Sequence, residues 1–205
     1  MKVSVILPAL NEEKTIGEIV KRVKEYADQV IVIDDGSSDR TTEKAKEQGA
    51  TVISHGENRG YVASLRTGFR NANGDIIVIM DADGQHNPED IPRLLKPILA
   101  GEADLVIGAR DKLSSFSERL ITRLTRFRVD TKDACSGFRA LRRDVAKKMR
   151  VKGRCTCGTF VLEAYKLGAR IRDVEVKVEP RISGKSRMKK KHFIQFFLVL
   201  KELLV

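Results

Sequence analysis

The sequence predicts an α/β protein with a mostly parallel sheet, helices on both faces and an amphipathic helix at the C-terminus. Short β-branched runs alternate with stretches that place apolar residues at helical spacing, as between Ile16 and Val23. Polar or acidic loops follow several of the predicted strands. Because this alternation is typical of βαβ units, we expect those loops to meet at one edge of the sheet.

The predicted elements follow one another with short connections. Short apolar runs predict strands at 3–7, 30–33, 51–54, 75–80, 104–107 and 171–178, with another short strand after residue 139. Helical periodicity and capping residues predict helices at 12–23, 42–48, 58–71, 88–99, 115–128, 145–149 and 160–166. Asn11, Asp39 and Asn87 are interpreted as caps, and Ser115 with Glu118 matches a capping box.

The length of 205 residues fits one domain, which we place at 1–190, followed by a helix at 191–205. The three cysteines include no Cys-x-x-Cys pair, which disfavours a structural zinc site and favours a reduced, cytosolic protein. The N-terminal apolar run is too short for a signal peptide. No run approaches the roughly 20 apolar residues of a membrane span.

The charge is divided unevenly along the chain. Residues 1–109 carry 13 Lys and Arg against 18 Asp and Glu, whereas residues 110–205 carry 26 against 10. A C-terminal half with a net charge of +16 indicates an anionic partner: nucleic acid, phosphate groups or an anionic membrane face. A surface that is charged only for solubility is the simpler alternative.

An acidic loop at 81–86 follows the predicted strand 75–80. It carries Asp81, Asp83 and Gln85 at alternate positions, at the carboxyl end of a strand, where ligands bind in open α/β sheets. Hard oxygen ligands in this arrangement suit Mg²⁺ or Mn²⁺, which keep coordination sites for substrate phosphates. The residues alone are also compatible with an acidic surface turn.

Other polar groups are expected at the same edge of the sheet. The loop at 8–12 and the Asp34-Asp35 pair follow the first two strands, and Arg110 follows the strand at 104–107, where it could neutralise a phosphate. No G-x-G-x-x-G sequence follows the first strand and no Walker A sequence is present, which disfavours NAD-binding and P-loop proteins. Phosphates would then be held by a metal ion and basic side chains.

Two segments of the basic half have amphipathic or apolar character. The helix at 115–128 combines an apolar stripe with four arginines, which is compatible with core packing or with a membrane surface. The segment 192–205 is apolar on nearly every side and could lie at a membrane interface or pack on a partner subunit. Residues 181–187 place glycine and serines between cations, as a phosphate-binding loop or a basic linker would.

Taken together, these motifs resemble family 2 glycosyltransferases of the GT-A fold, in particular the dolichyl- or polyprenyl-phosphate sugar synthases. The resemblance spans almost the whole chain, although residues 155–160 depart from the family pattern. The matching motifs are Pro8-Ala9-Leu10-Asn11-Glu12, Val32-Ile33-Asp34-Asp35-Gly36-Ser37-Ser38-Asp39, Asn58-Arg59-Gly60, Asp81-Ala82-Asp83-Gly84-Gln85-His86, Gly108-Ala109-Arg110, Ser136-Gly137-Phe138-Arg139 and Gly184-Lys185-Ser186-Arg187.

The resemblance also implies roles for individual residues. Donor binding is expected of Pro8, Leu10, Glu12, Asp35, Gly60, Asp81 and Ala82, and metal binding of Asp81, Asp83 and Gln85. The acceptor and phosphate residues are expected to be Arg110, Ser136, Arg139, Arg181, Lys185 and Arg187, and the catalytic residues Asp83, Arg110 and Asp133.

The reaction implied is an inverting, metal-dependent transfer of a hexose to dolichyl or polyprenyl phosphate at the cytoplasmic face of a membrane. GDP-mannose is the favoured donor and UDP-glucose the next. Because the acceptor phosphate is already ionised near neutral pH, no general base is required, and catalysis would rest on positioning and on the metal. A homo-oligomer or a membrane-protein partner could form through 192–205.

Three rival functions are less well supported by the sequence. A nucleotidyltransferase would usually carry a glycine-rich, basic first loop, which 8–13 is not. A nucleic-acid-binding protein would explain the net charge of +11 but not the acidic loops. A glycosyltransferase with a soluble or protein acceptor would leave the basic helix and the apolar C-terminal segment unexplained.

Overall fold

The structure, a computed structural model, describes residues 1–113, 115–153, 155–180 and 192–204. Its strands are Val3–Ala9 (β1), Gln29–Asp34 (β2), Thr51–Ser54 (β3), Ile76–Ile79 (β4), Leu105–Arg110 (β5), Arg139–Arg142 (β6) and Ile171–Val176 (β7). Its helices are Ile16–Val23 (α1), Thr41–Glu47 (α2), Tyr61–Asn71 (α3), Ile91–Leu99 (α4), Phe116–Thr125 (α5), Arg143–Lys148 (α6), Thr159–Lys166 (α7) and His192–Leu204 (α8).

The seven strands form one sheet in the order β3-β2-β1-β4-β6-β5-β7. Every pairing is parallel except those of β6, which runs antiparallel to β4 and β5. The carboxyl ends of β1, β2, β4 and β5 therefore lie at one edge. Arg139, at the start of β6, pairs with Ile79 at the end of β4, which brings the turn at 133–138 to the same edge.

Helices cover both faces of the sheet, as predicted. One core cluster joins a sheet face to the apolar residues of α1, α2 and α4, such as Ile16, Ala45 and Leu94. The other joins the opposite face to α3, α5, α6, α7 and α8, with Leu65 and Phe160 among its buried residues. The near-continuous burial of the central strands agrees with the apolar runs from which they were predicted.

Two of the predicted helix caps differ in the structure. Asn11 does not cap α1, because Thr15 occupies the cap position and the helix begins at Ile16. Asn11 instead adopts a left-handed backbone (φ 55°), and its Oδ1 accepts the N–H of Ser38. Asp39 lies one residue before the cap position of α2, yet its Oδ1 accepts the N–H of Thr41. Both side chains stabilise the loops at the site edge.

The other predicted caps are confirmed. The side chain of Asn87 accepts the N–H of Glu89 and begins a single 3-10 turn, Pro88–Asp90, which leads into α4. The Ser115 hydroxyl accepts the N–H of Glu118, and the Glu118 carboxylate accepts the N–H of Ser115, as a capping box requires.

The C-terminal helix α8 packs on α5 and α7. Val199 and Gln195 are fully buried in this packing, whereas Ile194, Phe197 and Leu204 are exposed. The helix is therefore amphipathic, with an inner face that belongs to the main core. The predicted domain boundary after residue 190 falls outside the described residues. Among the described helices, none has the length and apolarity needed to cross a bilayer.

Candidate active site

The loop after β2 is centred on the buried carboxylate of Asp35, which the resemblance places near the donor nucleoside. Its Oδ1 accepts the N–H of Arg59 at 2.9 Å, and its Oδ2 accepts the N–H of Gly60 at 2.8 Å. Gly60 has a left-handed backbone (φ 91°) and precedes α3 directly. Asp35 therefore fixes the loop that leads into α3, and this loop includes Gly60, which the resemblance assigns to donor binding.

His55, whose side chain is buried, is a further member of this cluster that the sequence motifs did not indicate. Its Nδ1 lies 2.9 Å from Oδ1 of Asp35, and its Nε2 lies 2.9 Å from the hydroxyl of Thr67. The ring therefore links the Asp35 carboxylate to α3. Its position was recoverable from the sequence, because His55 directly follows the predicted strand 51–54 and so lies at the same strand-end edge as the acidic loops.

Asp34, the last residue of β2, is buried beside Asp35. Burial alone would raise its pKa, but hydrogen bonds from the N–H of Ser37 and the hydroxyl of Ser54 outweigh burial, and the pKa is lowered below its ordinary value. Asp34 is thus a permanent negative charge that orders the loop after β2.

The loop after β1 is tied to the acidic loop after β4. The hydroxyl of Thr15 donates to the carbonyl oxygen of Ala82 at 2.7 Å. Glu12 is buried, and its N–H donates to the hydroxyl of Thr41 at the start of α2. Pro8 lies near the end of β1 and Leu10 directly follows that strand. The predicted donor residues of these two loops thus belong to one connected edge.

The acidic loop after β4 presents its carboxylates at the centre of the sheet edge. Asp83 is 8% exposed, and its Oδ1 accepts the N–H of Gln85 at 3.1 Å. The amide nitrogen of Gln85 lies 3.5 Å from the carbonyl oxygen of Glu179, so the amide oxygen is the atom of this side chain that could coordinate a metal ion. Asp81 packs on Gly137, where an added Cβ would lie 2.3 Å from its Oδ2.

The donor set of this loop fits Mg²⁺ or Mn²⁺ rather than a metal held entirely by protein. Among the described residues, no group of three or more His, Cys, Asp or Glu side chains is arranged to hold a metal ion. Two carboxylates and one amide oxygen instead match the few protein ligands that a Mg²⁺-type ion takes when substrate phosphates complete its shell. The cradle that Gly137 leaves for the Asp81 carboxylate supports the same assignment.

Beneath Asp81 lie the side chains of Tyr61 and Arg139. Burial raises the pKa of the Tyr61 phenol well above its ordinary value, and the charge of Asp81 raises it further, while Arg139 opposes the shift. Arg139 is only 1% exposed, and its guanidinium lies 4.4 Å from the ring centroid of Phe160. Its burial argues against the direct phosphate contact expected of it.

Ser136 was also expected to face a phosphate, and the structure argues against that role. Its side chain is buried, and its hydroxyl donates to the carbonyl oxygen of Gly108 at 2.6 Å. The hydroxyl oxygen of Ser136 also accepts the N–H of Phe138. A hydroxyl has one proton to donate, and here it joins the turn before β6 to β5.

Arg110, which is partly buried, forms an ion pair with the fully buried Asp133 at the end of β5. Nε and Nη2 of Arg110 donate to the two carboxylate oxygens of Asp133 at 2.6 and 3.0 Å, and Nη1 lies 3.4 Å from Glu118. Burial would lower the pKa of Arg110, but the hydrogen bonds and charge of Asp133, with the charge of Glu118, raise it. The guanidinium is therefore permanently charged.

A direct catalytic role for Asp133 does not agree with this geometry. Its side chain is fully buried, and its oxygens also accept the N–H groups of Arg110 and Cys135. Asp133 instead orients Arg110.

Beside them an open cavity of about 620 Å³ is lined by four cations, two carboxylates and a leucine: Arg110, Lys112, Arg119, Lys132, Asp111, Glu175 and Leu113.

His86, which ends the acidic loop, is buried against Phe138 with the ring centroids 5.1 Å apart. Burial lowers its pKa to about 4, because desolvation destabilises the charged imidazolium more than the nearby carboxylate of Asp83 stabilises it. His86 is thus neutral and packed.

Arg181, Lys185 and Arg187, the remaining predicted phosphate residues, lie outside the described residues.

Known sequences are similar to this chain over most of its length. Residues 4–150 match the model of the family Glycosyl transferase family 2. A dolichol-phosphate mannosyltransferase from Pyrococcus furiosus is 37% identical over 72% of this chain, which spans 48% of that longer protein. A UDP-N-acetylglucosamine–dolichyl-phosphate N-acetylglucosaminyltransferase from Methanococcus voltae is 30% identical over 84% of this chain and 83% of that protein.

Solved structures share the fold. Glucosyl-3-phosphoglycerate synthase from Mycobacterium tuberculosis, in complex with Mn²⁺, UDP and phosphoglyceric acid, superposes with a TM-score of 0.82 at 25% identity, over 99% of this chain and 77% of that one. The GT-A fold predicted from the sequence is thereby confirmed. With the fold and the match over residues 4–150, the chain belongs to glycosyl transferase family 2 and is a glycosyltransferase.

Proposed function

We propose that the protein transfers a hexose from a nucleotide-sugar donor to a polyprenyl or dolichyl phosphate, with inversion at the sugar and dependence on a divalent cation. GDP-mannose is the favoured donor and UDP-glucose the next. The observation that carries the proposal is the pair of carboxylates, Asp81 and Asp83, at the carboxyl edge of the sheet, between the nucleoside loops and the permanently charged Arg110.

In the donor half of the site, different loops would bind different parts of the donor. The edge that Glu12, Asp35 and Gly60 build would frame the nucleoside. Asp81, Asp83 and Gln85 would hold Mg²⁺ or Mn²⁺, which when bound would neutralise the donor diphosphate and stabilise the departing nucleoside diphosphate. Tyr61 and Gly137 support Asp81 from below and from the side, so the carboxylate is held in place before the metal arrives.

The acceptor half is basic and has no evident general base among the described residues. Asp133 is paired with Arg110, and His86 is buried and only weakly basic, because burial lowers its pKa to about 4. A phosphate acceptor agrees with this, because its attacking oxygen is already ionised. The cavity next to Arg110, with Lys112 and Arg119, supplies positive charge for that phosphate.

A lipid-linked acceptor is favoured by the outer surface of α5 and α8. Exposed Phe116, Phe127, Ile194 and Phe197 lie on or beside these two packed helices. Arginines of α5 and the turn after it are exposed on the same element, and such a combination is typical of peripheral attachment to an anionic membrane face. We place that attachment at the cytoplasmic face. The two named archaeal relatives are both dolichyl-phosphate enzymes, which supports the same acceptor.

A soluble phosphorylated acceptor is the second candidate. The solved structure with TM-score 0.82 is a synthase bound to phosphoglyceric acid, and its fold covers 99% of this chain. Both acceptors present a phosphate or carboxylate to a basic site, so the residues around Arg110 suit either. The exposed apolar side chains of α5 and α8 favour the lipid.

The test is transfer of radiolabelled hexose by the full chain, with GDP-mannose and UDP-glucose each offered to a short-chain polyprenyl phosphate and to 3-phosphoglycerate. Label that enters the lipid with one donor, and is lost with EDTA, is the expected result. Label that enters phosphoglycerate but not the lipid would replace the proposed acceptor by the second candidate. Labelling of neither would overturn both.

A further inference from the structure

Three thiols cluster beneath the site, and neither donor binding nor the proposed transfer uses them. The thiol of Cys155 lies 2.9 Å from Sγ of Cys157, and Cys157 also hydrogen-bonds Cys135. Cys155 and Cys157 are 1% and 2% exposed, whereas Cys135 is partly exposed. Residues 155–160 lie beyond residues 4–150, the part of the chain that matches the family model.

The segment that carries Cys155 and Cys157 lies where three parts of the molecule meet. The carbonyl oxygen of Cys157 accepts a hydrogen bond from the side chain of Gln195 in α8 at 2.8 Å. The N–H of Gly158 donates to the carbonyl oxygen of Ala134, in the turn that carries Asp133. Cys155 is close enough to Tyr61 to affect the charge state of its phenol.

The contact between Cys155 and Cys157 is closer than apolar packing requires. Buried thiols usually behave as small hydrophobic groups and need only apolar neighbours. Here the two sulfurs are already paired, and a disulfide bond of about 2.05 Å would bring them only about 0.9 Å closer. Oxidation at this position therefore needs little movement of the backbone.

We propose that Cys155 and Cys157 form a reversible disulfide, and that Cys135 is the thiol through which a disulfide oxidant reaches them. The Cys135 thiolate attacks one sulfur of the oxidant, forming a mixed disulfide and releasing one oxidant thiol. Cys157 then attacks the Cys135 sulfur and releases the second oxidant thiol. Exchange with Cys155 gives the Cys155–Cys157 disulfide and returns Cys135 as a thiol. Two protein thiols are oxidised and one oxidant disulfide is reduced to two thiols.

Exposure makes Cys135 the point of entry, and the raised pKa of Cys157 disfavours direct attack by Cys157. The hydrogen bond between Cys157 and Cys135 raises the pKa of Cys157, the hydrogen bond from Cys155 opposes it, and burial adds to the rise, so that the pKa lies well above its ordinary value. Since the thiolate is the nucleophile, Cys157 is poorly suited to attack an external oxidant. Once Cys135 carries the mixed disulfide, the neighbouring Cys157 attacks within the same molecule.

The experiment equilibrates the full chain with mixtures of oxidised and reduced glutathione, then alkylates and digests it with trypsin. Cleavage at arginine and lysine places Cys155 and Cys157 together in the peptide 155–166 and Cys135 alone in 133–139. We expect the peptide 155–166 to escape alkylation and lose two hydrogens, while Cys135 remains alkylated. Two alkylated cysteines at every glutathione ratio, or a stable cross-link between the two peptides, would overturn the proposal. This readout is independent of sugar transfer.

Serine variants test the order of the steps. Cys135→Ser is expected to reach the same product about tenfold more slowly or worse, because the exposed nucleophile is missing. Cys155→Ser is expected to stop at a cross-link between Cys135 and Cys157. Oxidation of Cys135→Ser at the wild-type rate would contradict the entry role, and circular dichroism of each variant verifies that it is folded.

Discussion

At the scale of single residues, the site depends on how its charged side chains are held. Asp81 rests against the backbone of Gly137, and Arg110 is clamped by Asp133. Both arrangements join residues that are more than 20 positions apart in the sequence. Each makes a different prediction, one for metal binding and one for stability.

Gly137→Ala is expected to weaken Mn²⁺-dependent nucleotide binding by about tenfold or more, a loss typical of disturbing the support of a metal ligand. The added Cβ would lie 2.3 Å from Oδ2 of Asp81, so the carboxylate must move. The matched control is Gly17→Ala in α1, where the Cβ meets nothing closer than 3.9 Å. Calorimetric titration measures both variants, and unchanged binding by Gly137→Ala would contradict the role assigned to Asp81.

Arg110→Ala is expected to lower the free energy of unfolding by about 3–5 kcal/mol, because it leaves the Asp133 carboxylate buried without its cation. Lys132→Ala is the control: it breaks an exposed pair with Glu175 and should change the free energy of unfolding far less. Urea denaturation distinguishes the two. An equal loss of free energy of unfolding in Arg110→Ala and Lys132→Ala would show that the Asp133 carboxylate reaches water or another partner.

At the scale of elements, the strand–helix alternation predicted most of the fold because each element is encoded by its own local pattern. The apolar run of β4 and the capping box of α5 are examples. The position of β6 was not predictable in this way. Its antiparallel insertion between β4 and β5 depends on long-range pairing, and that pairing is what buries Arg139 and Ser136, two residues expected from their motif to contact phosphate.

The start of β5 is joined to the start of β7 by Asp104 and Arg170, which supports a prediction about pH. Hydrogen bonds from Arg170 lower the pKa of Asp104, and burial opposes the shift. The folded protein therefore binds this proton less tightly than the unfolded chain. The stabilisation is complete above the unfolded pKa, near 3.8, and is lost as pH falls through the lowered value.

Since Arg170 is largely exposed, the effect is expected to stay below about 1 kcal/mol. Asp104→Asn should lose less of its free energy of unfolding between pH 5 and pH 3 than the wild type, as measured by urea denaturation at each pH. If the free energy of unfolding fell equally with pH in the wild type and in Asp104→Asn, the Asp104–Arg170 pair would not contribute to the pH dependence.

At the scale of the whole molecule, the uneven charge and the exposed apolar side chains of α5 and α8 coincide. The sequence placed a basic amphipathic helix at 115–128 and an apolar segment at 192–205, but the local pattern could not show that they pack together. In the structure one side of α8 completes the core through Val199, and the other side presents Ile194 and Phe197 outwards.

Phe127→Glu and Phe197→Glu are each expected to reduce binding to vesicles of anionic phospholipid by about tenfold, since each loses apolar area at the membrane and adds a repelled charge. Leu99→Glu is the control, because Leu99 is also exposed, at the end of α4 on the opposite face of the sheet. Co-sedimentation measures all three, and binding should fall as salt rises. An equal loss with Leu99→Glu would contradict the assignment of this surface.

The most direct measurement is calorimetric titration of GDP and UDP into the full chain, with Mn²⁺ or with EDTA, for the wild type and Asp83→Asn. Asparagine retains an oxygen for the N–H of Gln85, so the loop keeps its shape while the carboxylate is lost. Asp90→Asn, outside the loop, is the control. We expect Mn²⁺-dependent binding of one nucleotide that Asp83→Asn abolishes and Asp90→Asn retains. Nucleotide binding that does not depend on Mn²⁺, or that persists in Asp83→Asn, would contradict the metal-binding role of Asp83.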